Sequence, residues 1–253
     1  MQLRPDELSM ISRRARHAHP GDVAAALRDA ARYGPYFVIE TPDDASGARG
    51  ATLASLYSPA GAVDLSELLE HHARRLRTGE LRVAASLLFQ GFAARLWSPV
   101  LGCAAAGVVP DLDPDQLCWW RASPIGLRTA RASGWRAGDP EGHADLAAQA
   151  VITNNLLPLA AALRGTVRIA EGLLWGGAAS SLVGATQMLA GDPLRAARQL
   201  AENLLRHPSL RGTVTVLSRD PLRVRRRNCC LYYRVPDGGL CGDCPLQRVP
   251  GRS

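Results

Sequence analysis

Lysine is missing from this chain: all thirty basic residues are arginine, set against twenty-three acidic residues, for a formal charge of +7. Aromatic residues are scarce at 5%, against 47% apolar residues in total, so the interior has to be built from Ala, Leu and Val. That composition favours helix, because Ala and Leu lose little on entering one. The surplus of positive charge does not imply a nucleic-acid partner. The arginines are spread along the chain among Asp and Glu rather than gathered on one stripe, and a GC-rich coding sequence produces an Arg-for-Lys bias by itself.

Other absences exclude whole classes. There is no Gly-x-Gly-x-x-Gly after a strand and no phosphate loop, so no nucleotide or flavin pocket is indicated. The six histidines (His17, His19, His71, His72, His143 and His207) show no ligand spacing such as His-x3-His. No long apolar run suggests a membrane span. The best stretch, 172–191, is uncharged but holds five glycines with Ser180, Ser181, Thr186 and Gln187. It reads as a helix buried in a helical body, with peripheral contact to the inner membrane left open. The opening Met-Gln-Leu-Arg-Pro-Asp-Glu-Leu has no apolar core or small-residue cleavage site, so the expected compartment is the cytoplasm.

Helical periodicity runs over 22–33, 65–77, 80–97, 145–163 (kinked at Pro158), 167–189 and 193–206, with Ser98-Pro99 expected to break the third. Short strand signals lie at 36–39, 118–121 and 213–217, and loops are expected at 41–50 and 132–142. The fold class expected is mainly α with minor β. Residues 1–212 form a helical body and 213–253 a small C-terminal module.

Cysteine is unevenly placed. Four of the six fall within sixteen positions, as Cys229-Cys230, ten residues, then Cys241-Gly-Asp-Cys244. Disulfides need an oxidising compartment, which the N-terminus does not suggest. A structural zinc would use Cys241-x-x-Cys244 well, but adjacent Cys229 and Cys230 point to opposite sides of an extended backbone and suit one small tetrahedral ion poorly. A cluster with two separated irons accepts thiolates from a wider spread of directions. Geometry therefore favours an iron–sulfur cluster over zinc without removing zinc. Cys103 and Cys118, in apolar surroundings, read as core residues.

Cys-Cys-x10-Cys-x-x-Cys near a C-terminus resembles the signature of the FhuF family of bacterial siderophore-iron reductases. Arg226-Arg227-Asn228 and Leu231-Tyr232-Tyr233-Arg234 strengthen the likeness, with looser similarity at Leu88-Phe89-Gln90-Gly91, Arg95-Leu96-Trp97-Ser98-Pro99 and Leu173-Leu174-Trp175-Gly176-Gly177. The resemblance implies a [2Fe–2S] cluster on Cys229, Cys230, Cys241 and Cys244. It further implies one-electron reduction of a ferric siderophore, hydroxamate by analogy, with electrons from a donor protein such as a ferredoxin. The alternatives are a zinc-stapled interaction protein and an iron–sulfur sensor of iron or redox state.

Around the cysteines, Arg223, Arg225, Arg226 and Arg227 are expected either as a solvated basic turn or as charges that favour a reduced cluster and dock anionic partners. Gly238, Gly239 and Gly242 would let the chain wrap closely through positive φ. Trp97, Trp119, Trp120 and Trp175, with Arg121, Asn154 and Asn155, are candidate walls of a chelate pocket, although aromatics at such spacing are usually core.

Overall fold

The computed structural model describes residues 15–41 and 50–250. These fold as a mainly α body with minor β. The helices are α1 (Pro20–Ala31), α2 (Leu53–Tyr57), α3 (Ala62–Arg75), α4 (Leu81–Cys103), α5 (Pro140–Ala148), α6 (Leu157–Thr166), α7 (Glu171–Thr186) and α8 (Gly191–Leu204). A helix apolar on every side has to be surrounded, and α4 is: α7 packs along it, with α1, α3 and α8 against its other faces. Small residues on α7 let the two backbones approach. A Cβ added to Gly177 would meet the Gln90 side chain at 3.6 Å, and Ser181 Oγ donates to the Gln90 carbonyl at 2.9 Å.

Helix α4 does not stop at Ser98-Pro99 but runs on to Cys103. Proline inside a helix costs about 3 kcal/mol. Here Ser98, Pro99, Val100 and Leu101 are all buried, and the apolar area they remove from water offsets that cost. The strand expected at 36–39 is also absent, replaced by a 3-10 turn, Pro35–Phe37. Arg95 supplies the reason. Fully buried on α4, it donates to the carbonyls of Pro35 at 3.1 Å, Val38 at 2.6 Å and Tyr36, and to Ile125 O at 2.6 Å. Carbonyls held by a guanidinium are not offered to a neighbouring strand.

The stretch 140–166 is continuous but irregular. The turn widens into a π-helix at Gln149–Leu156, ahead of Pro158 rather than at it. Buried Asn155 spans the widened turn, donating to Ala150 O and to Leu112 O at 2.8 Å each. By length and composition this helix could cross a membrane, yet 61% of its apolar window is buried against the rest of the protein. The 172–191 stretch is a core helix, as its composition predicts: most of α7 is buried.

The strands are short. β1 (Ala15–His17), β2 (Val109–Pro110) and β5 (Gly134–Ala137) form one sheet in the order β1-β5-β2; β3 (Leu117–Trp120) pairs with β4 (Gly126–Thr129). The loop expected over 132–142 thus contains a strand paired on both sides, whereas most of the loop expected at 41–50 lies outside the described residues. Strand β3 forms where the sequence indicates. The tryptophans are core rather than pocket wall. Trp97, Trp119 and Trp175 are buried, with Phe89 edge-on to Trp175 at 6.1 Å, and the half-buried Trp120 ring lies against Gly126 with the Arg128 guanidinium 5.5 Å from its centre. Arg121 pairs with Glu67 on the surface, and Asn154 bonds Gln149.

Burial lowers the pKa of His72, His143 and His207 and makes the body acid-sensitive, with His72 shifted furthest. His72 on α3 has its Nε2 buried without a hydrogen-bond partner. Burial, then Arg75 and His71, lower its pKa to about 4. The unfolded chain therefore binds this proton at higher pH than the folded one. The associated stability is complete above pH ~6.5 and drains away as pH falls towards 4. The melting temperature is expected to drop across that window, and His72→Gln to flatten the drop. An identical pH profile in the variant would exclude His72 as its source.

Candidate metal centre

After α8 the chain makes a two-stranded hairpin, β6 (Val214–Arg219) and β7 (Leu222–Arg226), joined through Asp220-Pro221. The signal in β7 is its period of two. Leu222, Val224 and Arg226 point inward against α7, while Arg223 and Arg225 face solvent. The arginine run is thus a strand with one arginine in a core position, not a basic turn.

Arg226 is 2% exposed. Its Nη2 lies 2.8 Å from Cys241 Sγ and 2.9 Å from Asp243 Oδ1, its Nη1 is 3.1 Å from Gln90 Oε1, and its backbone N–H donates to Asp243 O at 2.9 Å. Burial disfavours its charge, but Cys230, Asp243 and Cys241 together more than offset this, and its pKa is raised. A single buried cation thereby joins the central helix, the hairpin and the cysteine segment.

The cysteine segment is pinned at further points. Ser86 Oγ on α4 donates to Cys230 O at 2.9 Å, Asn228 Nδ2 donates to Gly172 O at 3.0 Å, and Arg234 bonds Glu80 at 2.7 Å. Leu231 takes a left-handed conformation, φ 68°, that costs a non-glycine residue about 1 kcal/mol. The payoff is local: its N–H donates to Cys229 Sγ at 3.3 Å. The positive φ values fall on Leu231 and Asp237 rather than on Gly238, Gly239 or Gly242. Gly238 is needed for a different reason, since a Cβ there would lie 2.2 Å from Tyr232 O. Tyr232 is exposed, and Arg234 stands over the Tyr233 ring.

Of the four cysteines, Cys230 and Cys241 are brought together, Sγ to Sγ, at 3.7 Å. That is well beyond a disulfide bond of about 2.05 Å. It matches the roughly 3.8 Å edge of a tetrahedron with metal–sulfur bonds of about 2.3 Å. Cys229 and Cys244 lie within electrostatic reach of each other. Among the described residues, no three His, Cys, Asp or Glu side chains converge on one point as a mononuclear site requires. The pair loses its first proton readily and its second with difficulty. Cys230 is held below the usual thiol value, chiefly by its hydrogen bond with Cys241 and also by Arg226, while Cys241 is held above it by the same shared proton. Burial pushes Cys229 up. Buried Arg226 Nε finds no acceptor within the protein, so this sulfur-lined pocket with an unmet donor fits a sulfide-bearing centre. Cys103 and Cys118 stand apart on α4 and β3, as core and half-buried residues.

Beside the cysteines a cavity of about 780 Å³ opens between α7, α8 and the hairpin, with Arg226, Cys241 and Asp243 in its wall. The roles of Gln90, Ser86 and Asp243 are not visible from the sequence, because each depends on a contact distant in the chain. The burial of Arg226 was available in the alternation of Leu222-Arg-Val-Arg-Arg226.

Residues 226–246 match the family model of the FhuF 2Fe-2S C-terminal domain. A search of curated proteins gives no match. The matched stretch begins at the buried arginine and contains all four cysteines, so the C-terminal segment is similar to an iron–sulfur domain of the FhuF type, the family that its cysteine motif resembles.

Proposed function

We propose that this chain is a ferric-siderophore reductase of the cytoplasm, with a [2Fe–2S] cluster held by Cys229, Cys230, Cys241 and Cys244. The observation that carries the reading is that Cys241 belongs both to the matched iron–sulfur domain and to the wall of a cavity of about 780 Å³. When bound, such a cluster carries one electron at a time. That stoichiometry suits reduction of Fe(III) to Fe(II), and hard siderophore oxygens hold Fe(II) far more weakly. The electron is resupplied by a donor protein such as a ferredoxin. The protein's own work is to hold and to position. Arg226 and Asp243 fix the cysteine loop to α4 through Gln90, Ser86 anchors Cys230, and exposed Arg223 and Arg225 present positive charge to anionic partners.

Stopped-flow oxidation of the dithionite-reduced protein by a panel of ferric hydroxamates tests this. Chelates are expected to speed reoxidation over a chelate-free control, with a ferrous chelator capturing the iron. Arg223→Ala with Arg225→Ala is expected to slow the reaction with anionic chelates, and added salt to mimic the double variant, because exposed charges are screened over about 10 Å at 0.1 M. If no chelate accelerates reoxidation, the reductase reading fails and the sensor reading replaces it.

A further inference from the structure

We propose that Ser86 is a positioning residue for the iron–sulfur centre: it holds the Cys230–Leu231 peptide with its N–H on Cys229 Sγ, and so favours the reduced state. The inference rests on the reading of the four cysteines as cluster ligands and needs neither the siderophore nor the donor protein. It starts from an irregularity in a helix. A serine inside a helix often turns its hydroxyl back onto the carbonyl four residues earlier. Ser66 does so on α3, to Ala62 O at 2.8 Å, and Ser98 on α4, to Ala94 O at 2.7 Å. Ser86, buried on α4, does not. Its Oγ donates to Cys230 O at 2.9 Å, 144 positions away in the chain.

The carbonyl and N–H of a trans peptide leave its plane in opposite directions. With the Cys230 carbonyl drawn to α4, the Leu231 N–H is turned away from that helix and donates to Cys229 Sγ at 3.3 Å. The next amide, Tyr232 N–H, bonds Cys230, so each of the adjacent cysteines receives an amide hydrogen. For Leu231 this orientation is the less comfortable of two. It imposes φ 68°, in the left-handed region that a leucine disfavours. Turning the peptide over by about 180° would carry φ to about −110°, inside the broad extended region open to any residue. The carbonyl oxygen would then face the sulfur in place of the N–H. Hydrogen bonds to ligand sulfurs are among the levers that set a cluster's reduction potential. Reduction adds negative charge, which an N–H stabilises and a carbonyl oxygen opposes. The orientation of one peptide therefore sets the sign of its contribution, and the Ser86 hydroxyl opposes the turn.

The test compares anaerobically purified wild type, Ser86→Ala, Leu231→Gly and the double variant by dye-mediated redox titration, after iron and acid-labile sulfide are counted. Ser86→Ala is expected to lower the ratio of reduced to oxidised protein at fixed potential by about fivefold to tenfold, a tenfold change being about 59 mV. Glycine takes positive φ without penalty, so Leu231→Gly removes the reason for the peptide to turn. Alone it is expected to leave the ratio within about twofold of the wild type. Added to Ser86→Ala, it is expected to recover most of the lost ratio while lowering the melting temperature further, because glycine costs packing and backbone entropy. A serine that merely supports the loop predicts the reverse, with the lowest potential in the double variant. An unchanged ratio in Ser86→Ala, or a double variant no higher than Ser86→Ala, would overturn the inference. A further arm does not depend on how the serine variant folds. With leucine nitrogen isotopically labelled, the reduced wild-type centre is expected to show a nitrogen hyperfine coupling that Leu231→Gly loses; absence of that coupling would also overturn it. Zinc in place of iron and sulfide would remove the cluster reading itself, whereas an intact iron–sulfur centre with an unmoved potential removes only the role of Ser86.

Discussion

Serine at Cys230 or Cys241 is expected to abolish the visible spectrum of the anaerobically purified protein and its iron and acid-labile sulfide, whereas Cys103→Ser leaves all three in place. The two thiols sit 3.7 Å apart against a buried guanidinium, already at the spacing of two thiolates on one tetrahedral metal. Serine offers a harder oxygen with a much higher pKa, a poor substitute on iron. It also leaves Arg226 without one of its sulfur partners. Cys103 is a different case. It is fully buried on α4, and burial pushes its thiol up to about 12, so it is a packing group rather than a ligand. Its serine variant buries a hydroxyl and is expected to lose about 1–3 kcal/mol of stability without losing colour. Equal iron and sulfide in the wild type, lost with either cysteine, is the expected assay. Stoichiometric zinc without sulfide would overturn the iron–sulfur assignment, and a colourless Cys103→Ser protein would show that the ligand set is wrongly drawn.

The sequence reveals the site more clearly than it reveals the fold around it. A cysteine motif is a statement about covalent spacing, which folding does not alter, so Cys229 to Cys244 could be singled out directly. Long apolar helices were legible for the same reason: α3, α4, α7 and α8 each repeat a local pattern. The misreadings all come from tertiary partners. Pro99 stays helical because buried neighbours on every side hold its turn. Residues 36–38 are not a strand because Arg95, some sixty positions away, holds their carbonyls. Gly134–Ala137 pairs because two distant segments flank it. The four arginines before Cys229 show the limit most sharply. Composition treats them as one basic cluster, yet strand alternation sends Arg223 and Arg225 to solvent and Arg226 inside. Salt can therefore mimic loss of the first two and not of the third.

Arg226→Leu is expected both to destabilise the protein by about 3–5 kcal/mol and to lower the reduction potential of its iron–sulfur centre. The stability loss follows from what stays behind. Asp243, paired with Arg226 at 2.9 Å, is left as a charge without its counter-ion, its Oδ2 already lacking a partner. The potential falls because reduction adds negative charge beside Cys241, and the guanidinium at 2.8 Å stabilises that added charge. Asp243 opposes the effect, but Arg226 acts more strongly than Asp243 on both Cys230 and Cys241, so the cation dominates. A drop of about tenfold to a hundredfold in the ratio of reduced to oxidised protein at fixed potential is expected, each tenfold being about 59 mV for one electron. Two further variants separate structure from electrostatics. Arg226→Lys keeps the charge but loses the fork that holds Gln90 and Asp243 together, so it should preserve much of the potential and little of the stability. Arg226→Leu with Asp243→Leu removes the orphaned carboxylate, so stability should return while the potential settles between the wild type and the single variant. Because Arg226 is buried, these shifts should persist in high salt, unlike the effects of Arg223 and Arg225. A potential that follows stability across all three variants would mean that Arg226 only holds the cysteine loop in place; a potential that follows the charge at position 226 means that it sets the electrostatics of the centre.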